Sequence, residues 1–218
     1  MCLSPGVDLM VGVVVGGLAI DAWQHVTDPA ERGLATIPIV LGAHQIIEAF
    51  VWFGLDGRVP GWLGTAALWA YLVIAFAVVP VLVPLAVVAL EPAERRPRMA
   101  WFTYLGGAVA VALLVQLVSG SPSAKIEHLH IAYHADITFG GPLVALYVVA
   151  TCGPLLCSSH RNLALFGAVN LGVVGLLVWS VQSGFVSLWC FWAAVTSMAI
   201  VAHLRFSDRG VVAPAVVP

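Results

Sequence analysis

Leu34-Ala35-Thr36-Ile37-Pro38-Ile39-Val40-Leu41-Gly42-Ala43-His44-Gln45-Ile46-Ile47-Glu48-Ala49-Phe50-Val51-Trp52-Phe53 is a run of apolar residues broken by one carboxylate. A helix of about 20 such residues crosses a hydrocarbon core of roughly 30 Å. A charge at that depth is expensive, and residues kept there face a bundle interior and mark functional sites. The run therefore decides two things together: the chain is built for a bilayer, and Glu48 is its most informative residue.

The rest of the chain has the same character. Of its 218 residues 61% are hydrophobic and 9% charged, far from the composition of soluble domains. Apolar stretches of spanning length recur at Val7 to Trp23, Leu34 to Phe53, Leu63 to Leu90, Trp101 to Val118, Phe139 to Leu156, Leu163 to Val181 and Phe185 to Leu204. The expected fold is an all-α polytopic membrane bundle of seven transmembrane helices. Short connections leave room for a single domain over residues 1–209, with a disordered tail at 210–218. The first helix has no basic segment before it and no convincing small-residue cleavage site, so it reads as part of the mature protein.

Basic residues set the expected orientation, because Lys and Arg in short loops are retained on the cytoplasmic side. Arg32, Arg95, Arg96, Arg98, Arg161, Arg205 and Arg209 follow helices 1, 3, 5 and 7, whereas Arg58 and Lys125 alone lie at the other end. This places the N-terminus outside and the C-terminus in the cytoplasm. A net charge of −2 gives no reason to expect a nucleic-acid partner, and the arginines are accounted for as a topology signal. The bias toward Arg, Ala, Val and Gly points to a bacterial inner membrane. The expected partner is the lipid bilayer, with a homo-oligomer or a membrane partner subunit as further options.

With that orientation the polar residues sort by depth. His44, Glu48 and Trp52 are four apart and share a helix face, stepping toward the outer surface, with Gln45 beside them. The outer connection between helices 4 and 5 carries Glu127, His128, His130, Tyr133, His134 and Asp136. Glu48, His44, Gln45, Trp52 and Tyr133 are the expected lining of an outward-facing polar pocket. In a helical segment His130 and His134 would point the same way, so that with His128 and Glu48 they could hold Zn or Cu. The competing reading of His44 and Glu48 is a structural hydrogen bond that pins helix 2 to its neighbours.

Cys2 and Cys190 fall on the outer side, where a disulfide could form, and Cys152 and Cys157 on the inner side, where thiols stay reduced. Gly12-x-x-x-Gly16 and the Gly106, Gly107, Ala110 group are small surfaces for close helix packing. Pro80 and Pro84 should kink the third helix and free backbone carbonyls. Trp62, Trp101 and Trp189 lie where interfacial anchors are expected.

The opening Met1-Cys2-Leu3-Ser4, the segment His44-Gln45-Ile46-Ile47-Glu48-Ala49-Phe50-Val51-Trp52, His130-Ile131-Ala132-Tyr133 and Ser187-Leu188-Trp189-Cys190-Phe191-Trp192-Ala193-Ala194 together resemble a family of bacterial multi-pass membrane proteins of unknown function. Its chains typically open Met-Cys-Phe-Ser and often carry Gln at the position of His44, so Leu3 and His44 are departures. The resemblance implies membrane class and helix number and supplies no activity. Covalent retinal is excluded, because a rhodopsin-like protein needs a lysine in its last helix and the single lysine is Lys125 in a loop. Seven-helix zinc hydrolases related to alkaline ceramidases place a His-x-x-x-His pair on the last helix, where this chain has His203 alone.

Two functions from different classes follow. The first is a non-enzymatic membrane protein that binds or conducts a cation or small ligand at Glu48, facing polar groups such as Gln116, Asn170 or Gln182. The second is a metal-dependent hydrolase acting on a lipid-like substrate.

Overall fold

A computed structural model describes residues 4–127, 130–135, 138, 140–180 and 185–206. These form seven helices and one hairpin: α1 (Pro5–Gln24), α2 (Arg32–Leu55), α3 (Gly61–Leu90), α4 (Arg96–Ser119), β1 (Ser123–Glu127), β2 (His130–His134), α5 (Gly140–Leu156), α6 (Arg161–Ser180) and α7 (Phe185–Phe206). A short 3₁₀ turn, Pro29–Glu31, leads into α2. Four helices, α1 to α4, are long and apolar enough to cross a membrane. Each helix begins and ends within a few residues of the expected apolar run, because caps and helix-starting prolines lie just outside the hydrophobic stretch. At α1, for example, Ser4 caps the backbone of Val7 and Pro5 occupies the first turn.

α2 is the most buried of the four long helices and packs against α1, α3 and α7. The outward surfaces of the surrounding bundle are apolar: Met10, Trp62, Tyr104, Trp101 and Trp179 are all exposed, Trp179 by 85%. Trp62 and Trp101 thus project as interfacial anchors would, whereas Trp189 turns partly inward against the cluster around Ile131.

The expected small-residue surfaces are contacts. α1 and α2 meet at Gly12 and Gly42: a Cβ on Gly12 would lie 2.6 Å from Ile46 Cγ1 and 2.8 Å from the Gly42 carbonyl oxygen. α3 and α4 meet at Pro80 and Gly106. Pro84 has no N–H to offer the carbonyl four residues back, which leaves the Pro80 oxygen free of its helical partner. Gly106 fits against that oxygen, and any Cβ there would overlap it. Gly107, by contrast, faces open space.

The kink expected in α3 is a π turn at Ile74–Val78, just before Pro80. Within it the Val79 N–H reaches back to the Ile74 carbonyl. The Ala75 carbonyl would then look to residue 80, a proline without a donor, and the Tyr147 hydroxyl of α5 donates to it instead at 2.8 Å. The freed carbonyls are thus taken up by packing.

One expectation is corrected here. The His130 to His134 segment is not helical but strand β2, paired antiparallel to β1 with Glu127 opposite His130 and Ser123 opposite His134. Ile131 and Tyr133 are good strand formers, and Ile131 and Ala132 are fully buried against the bundle. Residues four apart on a strand share a face but stand about 13 Å apart. His130 and His134 therefore cannot ligate one metal ion, whose nitrogen ligands lie at about 2.0–2.1 Å.

At the opposite end of the bundle, Glu91 joins two connections. Its buried carboxylate accepts from Ser158 Oγ at 2.6 Å and from the Ser159 N–H at 2.8 Å, and pairs with Arg95 at 3.2 Å. Arg95 also donates to the Cys157 carbonyl at 2.7 Å. Burial alone would raise the Glu91 pKa, but the hydrogen bonds from Ser158 and Ser159 and the charge of Arg95 outweigh it and hold the carboxyl below its ordinary range. Asp21 and Arg205 tie α1 to α7 at the same end, 3.3 Å apart. Cys152 and Cys157 are free thiols.

Two outcomes follow for stability. Gly106→Val should cost about 1–3 kcal/mol by overpacking while Gly107→Ala costs little, read as thermal midpoints in detergent. The contribution of Glu91 is complete at pH values above its unfolded pKa of about 4.3 and is lost as pH falls through the lower folded value. The gap in midpoint between wild type and Glu91→Gln should therefore be full at neutral pH and close in acid.

Candidate functional site

The polar residues of α2 form a column inside the bundle. Trp52, Glu48 and His44 sit about 5, 10 and 16 Å along the helix from its end at Leu55, on one face, and all three are buried. Each level has a hydrogen-bond partner from another element. At the first level the Trp52 indole N–H donates to Asp8 Oδ2 of α1 at 3.0 Å. At the second, the Tyr133 hydroxyl of β2 donates to Glu48 Oε1 at 3.2 Å. At the third, His44 Nε2 donates to the Tyr71 carbonyl of α3 at 2.9 Å, immediately before the π turn.

Three rings link the lower levels. His44 stacks on Tyr71 with centroids 3.9 Å apart, and Tyr71 stacks on Tyr133 at 4.5 Å. The hairpin is therefore inserted into the bundle, with Tyr133 reaching both a ring of α3 and the carboxylate of α2. Because Nε2 carries the donated proton, Nδ1 of a neutral His44 is an acceptor, and it meets no hydrogen-bond partner. Gln45 is fully buried with both its amide nitrogen and oxygen unpartnered. An amide in that state carries an unmet demand for hydrogen bonds.

Asp8 and Glu48 are both 0% exposed, whereas Arg32, Arg58, Arg95, Arg96, Arg98, Lys125, Arg161 and Arg205 are all exposed. Lys125 pairs with Glu127 on its own hairpin at 2.6 Å.

The structure brings together Glu48, His44, Gln45, Trp52 and Tyr133, all expected from the sequence as site residues. It adds Asp8 and Tyr71. Asp8 had a signal, a carboxylate in the first turn of an apolar helix; Tyr71 had none, being one aromatic among many in a hydrophobic run. Polar groups expected near Glu48 are engaged elsewhere: Gln116 donates to the Ala112 carbonyl of its own helix, and Asn170 bonds to Phe166 and accepts from Trp192. His130 is half-buried and His134 exposed. His128, Asp136, Gln182, Cys2 and the Cys190 side chain lie outside the described residues, as does the 210–218 tail. Among the described residues no three His, Cys, Asp or Glu side chains form a group that could hold a metal ion.

Residues 1–215 match the model of a family of unknown function, DUF6629. The chain belongs to this family. Neither a search of curated proteins nor one of solved structures gives a match. Membership of DUF6629 accords with the sequence resemblance to an uncharacterised family and assigns no reaction.

Trp52→Phe should cost about 1–2 kcal/mol by stripping the Asp8 carboxylate of an intramembrane donor, while Trp23→Phe, at an exposed position, leaves the thermal midpoint unchanged.

Proposed function

We propose that this DUF6629 protein is a seven-span protein of a bacterial inner membrane, N-terminus outside and C-terminus cytoplasmic, that takes up a proton or a monovalent cation at the Asp8–Glu48 column. The supporting observation is that two carboxylates, Asp8 and Glu48, are wholly buried among helices of spanning length, on one column with Trp52, Tyr133 and His44. An ionised carboxylate is costly at such depth, so the column favours states in which a proton or a cation offsets the charge. Gln45 and His44, three and four positions before Glu48 on the helix, carry a buried unpartnered amide and a buried unpartnered ring nitrogen.

The arrangement suits exchange with the outer face. Tyr133, on the hairpin, donates to Glu48 Oε1, so a change in the charge of Glu48 bears directly on how the hairpin is held against the column. The metal-dependent hydrolase reading draws no comparable support, since its His130 and His134 pair is separated along a strand.

The test is flux into vesicles. Purified protein reconstituted with a pH-sensitive dye inside should dissipate an imposed proton or monovalent-cation gradient. Glu48→Gln and Asp8→Asn should each reduce that rate at least about tenfold, the effect of losing roughly 1.4 kcal/mol of site energy. His203→Gln, at the far end, should not. Equal rates in wild type and both carboxylate variants would overturn the proposal.

A further inference from the structure

A second feature lies apart from the carboxylate column. Between α2, the second half of α3, α5, α6 and α7 runs a narrow cleft of about 70 Å³, reaching from Trp189 to Ile200 along α7 and bordered by Leu34 and Leu163. The polar side chains along it present little to a ligand. The hydroxyls of Thr151, Thr196 and Ser197 donate to carbonyls of their own helices, and Asn170 is held by Phe166 and Trp192. What remains is a hydrocarbon wall.

Its dimensions favour a chain. The eleven residue steps from Trp189 to Ile200 correspond to about 16 Å of helix, close to half of the roughly 30 Å hydrocarbon thickness, which is one leaflet.

One end of the cleft is basic. Leu34 and Leu163 each stand two residues after an arginine, Arg32 and Arg161, the first residues of α2 and α6. Both arginines are exposed, and neither makes an ion pair among the described residues. Arg95 and Arg205, at the same end, are engaged with Glu91 and Asp21. An apolar slot one leaflet deep with two uncommitted arginines at its mouth fits an amphiphile with an acyl tail and an anionic head.

We propose that this cleft is a binding site for an anionic glycerophospholipid, one acyl chain lying between α2 and α7 and the phosphate meeting Arg32 and Arg161. The test uses wild-type protein in nanodiscs containing either phosphatidylglycerol or phosphatidylcholine with a diazirine in the acyl chain, the adducts being mapped on peptides. Phosphatidylglycerol adducts should concentrate on Leu155, Leu163 and Thr196, and the phosphatidylcholine analogue should label these residues several-fold less. Arg32→Gln and Arg161→Gln should each lower cleft labelling about fivefold, and Ala193→Trp should abolish it by filling the slot. Equal labelling by the two lipids would overturn the proposal. So would adducts spread evenly onto the outward-facing Tyr104 and Trp179. Because the wild-type comparison requires no variant, a misfolded mutant cannot obscure the answer.

Discussion

An ionised carboxylate is costly among apolar groups, and α2 carries one about 10 Å from its end at Leu55. The burial of Glu48 accounts for much of how this bundle is put together. α2 is wrapped by α1, α3 and α7, so that the face bearing His44, Glu48 and Trp52 meets polar partners inside the bundle. The tight approach of α1 at Gly12 and Gly42 brings Asp8 within reach of Trp52. A hairpin between α4 and α5 folds inward so that Tyr133 can donate to Glu48. In a medium without water these donors have to come from the protein itself.

The same constraint governs the backbone. α3 contains two prolines, and each missing N–H exposes a carbonyl in an apolar setting. The structure answers the one at Ala75 with the Tyr147 hydroxyl and the one at Pro80 with the close approach of Gly106. The π turn that results lies directly after Tyr71, whose carbonyl receives His44 and whose ring lies between His44 and Tyr133. The irregular turn and the polar column are thus neighbours, and a change in one is felt by the other. The far end is organised differently: Glu91 and Asp21 use ordinary ion pairs with partly exposed arginines, as groups near water can.

Much of this was legible in the sequence. Helix number and limits followed from apolar runs bounded by caps, prolines and polar connections. The face shared by His44, Glu48 and Trp52 followed from helical periodicity. What failed was the His130 to His134 segment, whose spacing fits one helix face and one strand face equally well; only its pairing with Ser123 to Glu127 decides between them. The position of Asp8 in the first turn of helix 1 puts it in the same half of the bundle as Glu48, but its bond to Trp52, distant in sequence, has no local signal. Tyr71 was invisible, since nothing local separates a tyrosine that stacks in a polar column from one that packs against lipid. Long-range partners are set by tertiary packing, which a single chain's pattern does not encode position by position.

The most direct test of the account is infrared difference spectroscopy of the purified protein in lipid, following the carboxylic-acid stretching band as pH and monovalent-cation concentration are stepped. The account predicts a protonated buried carboxyl that titrates with both variables, with separate components lost in Glu48→Gln and in Asp8→Asn. A spectrum with no titrating carboxyl band assignable to either residue would contradict it and leave the column as a structural pin between α1, α2 and the hairpin.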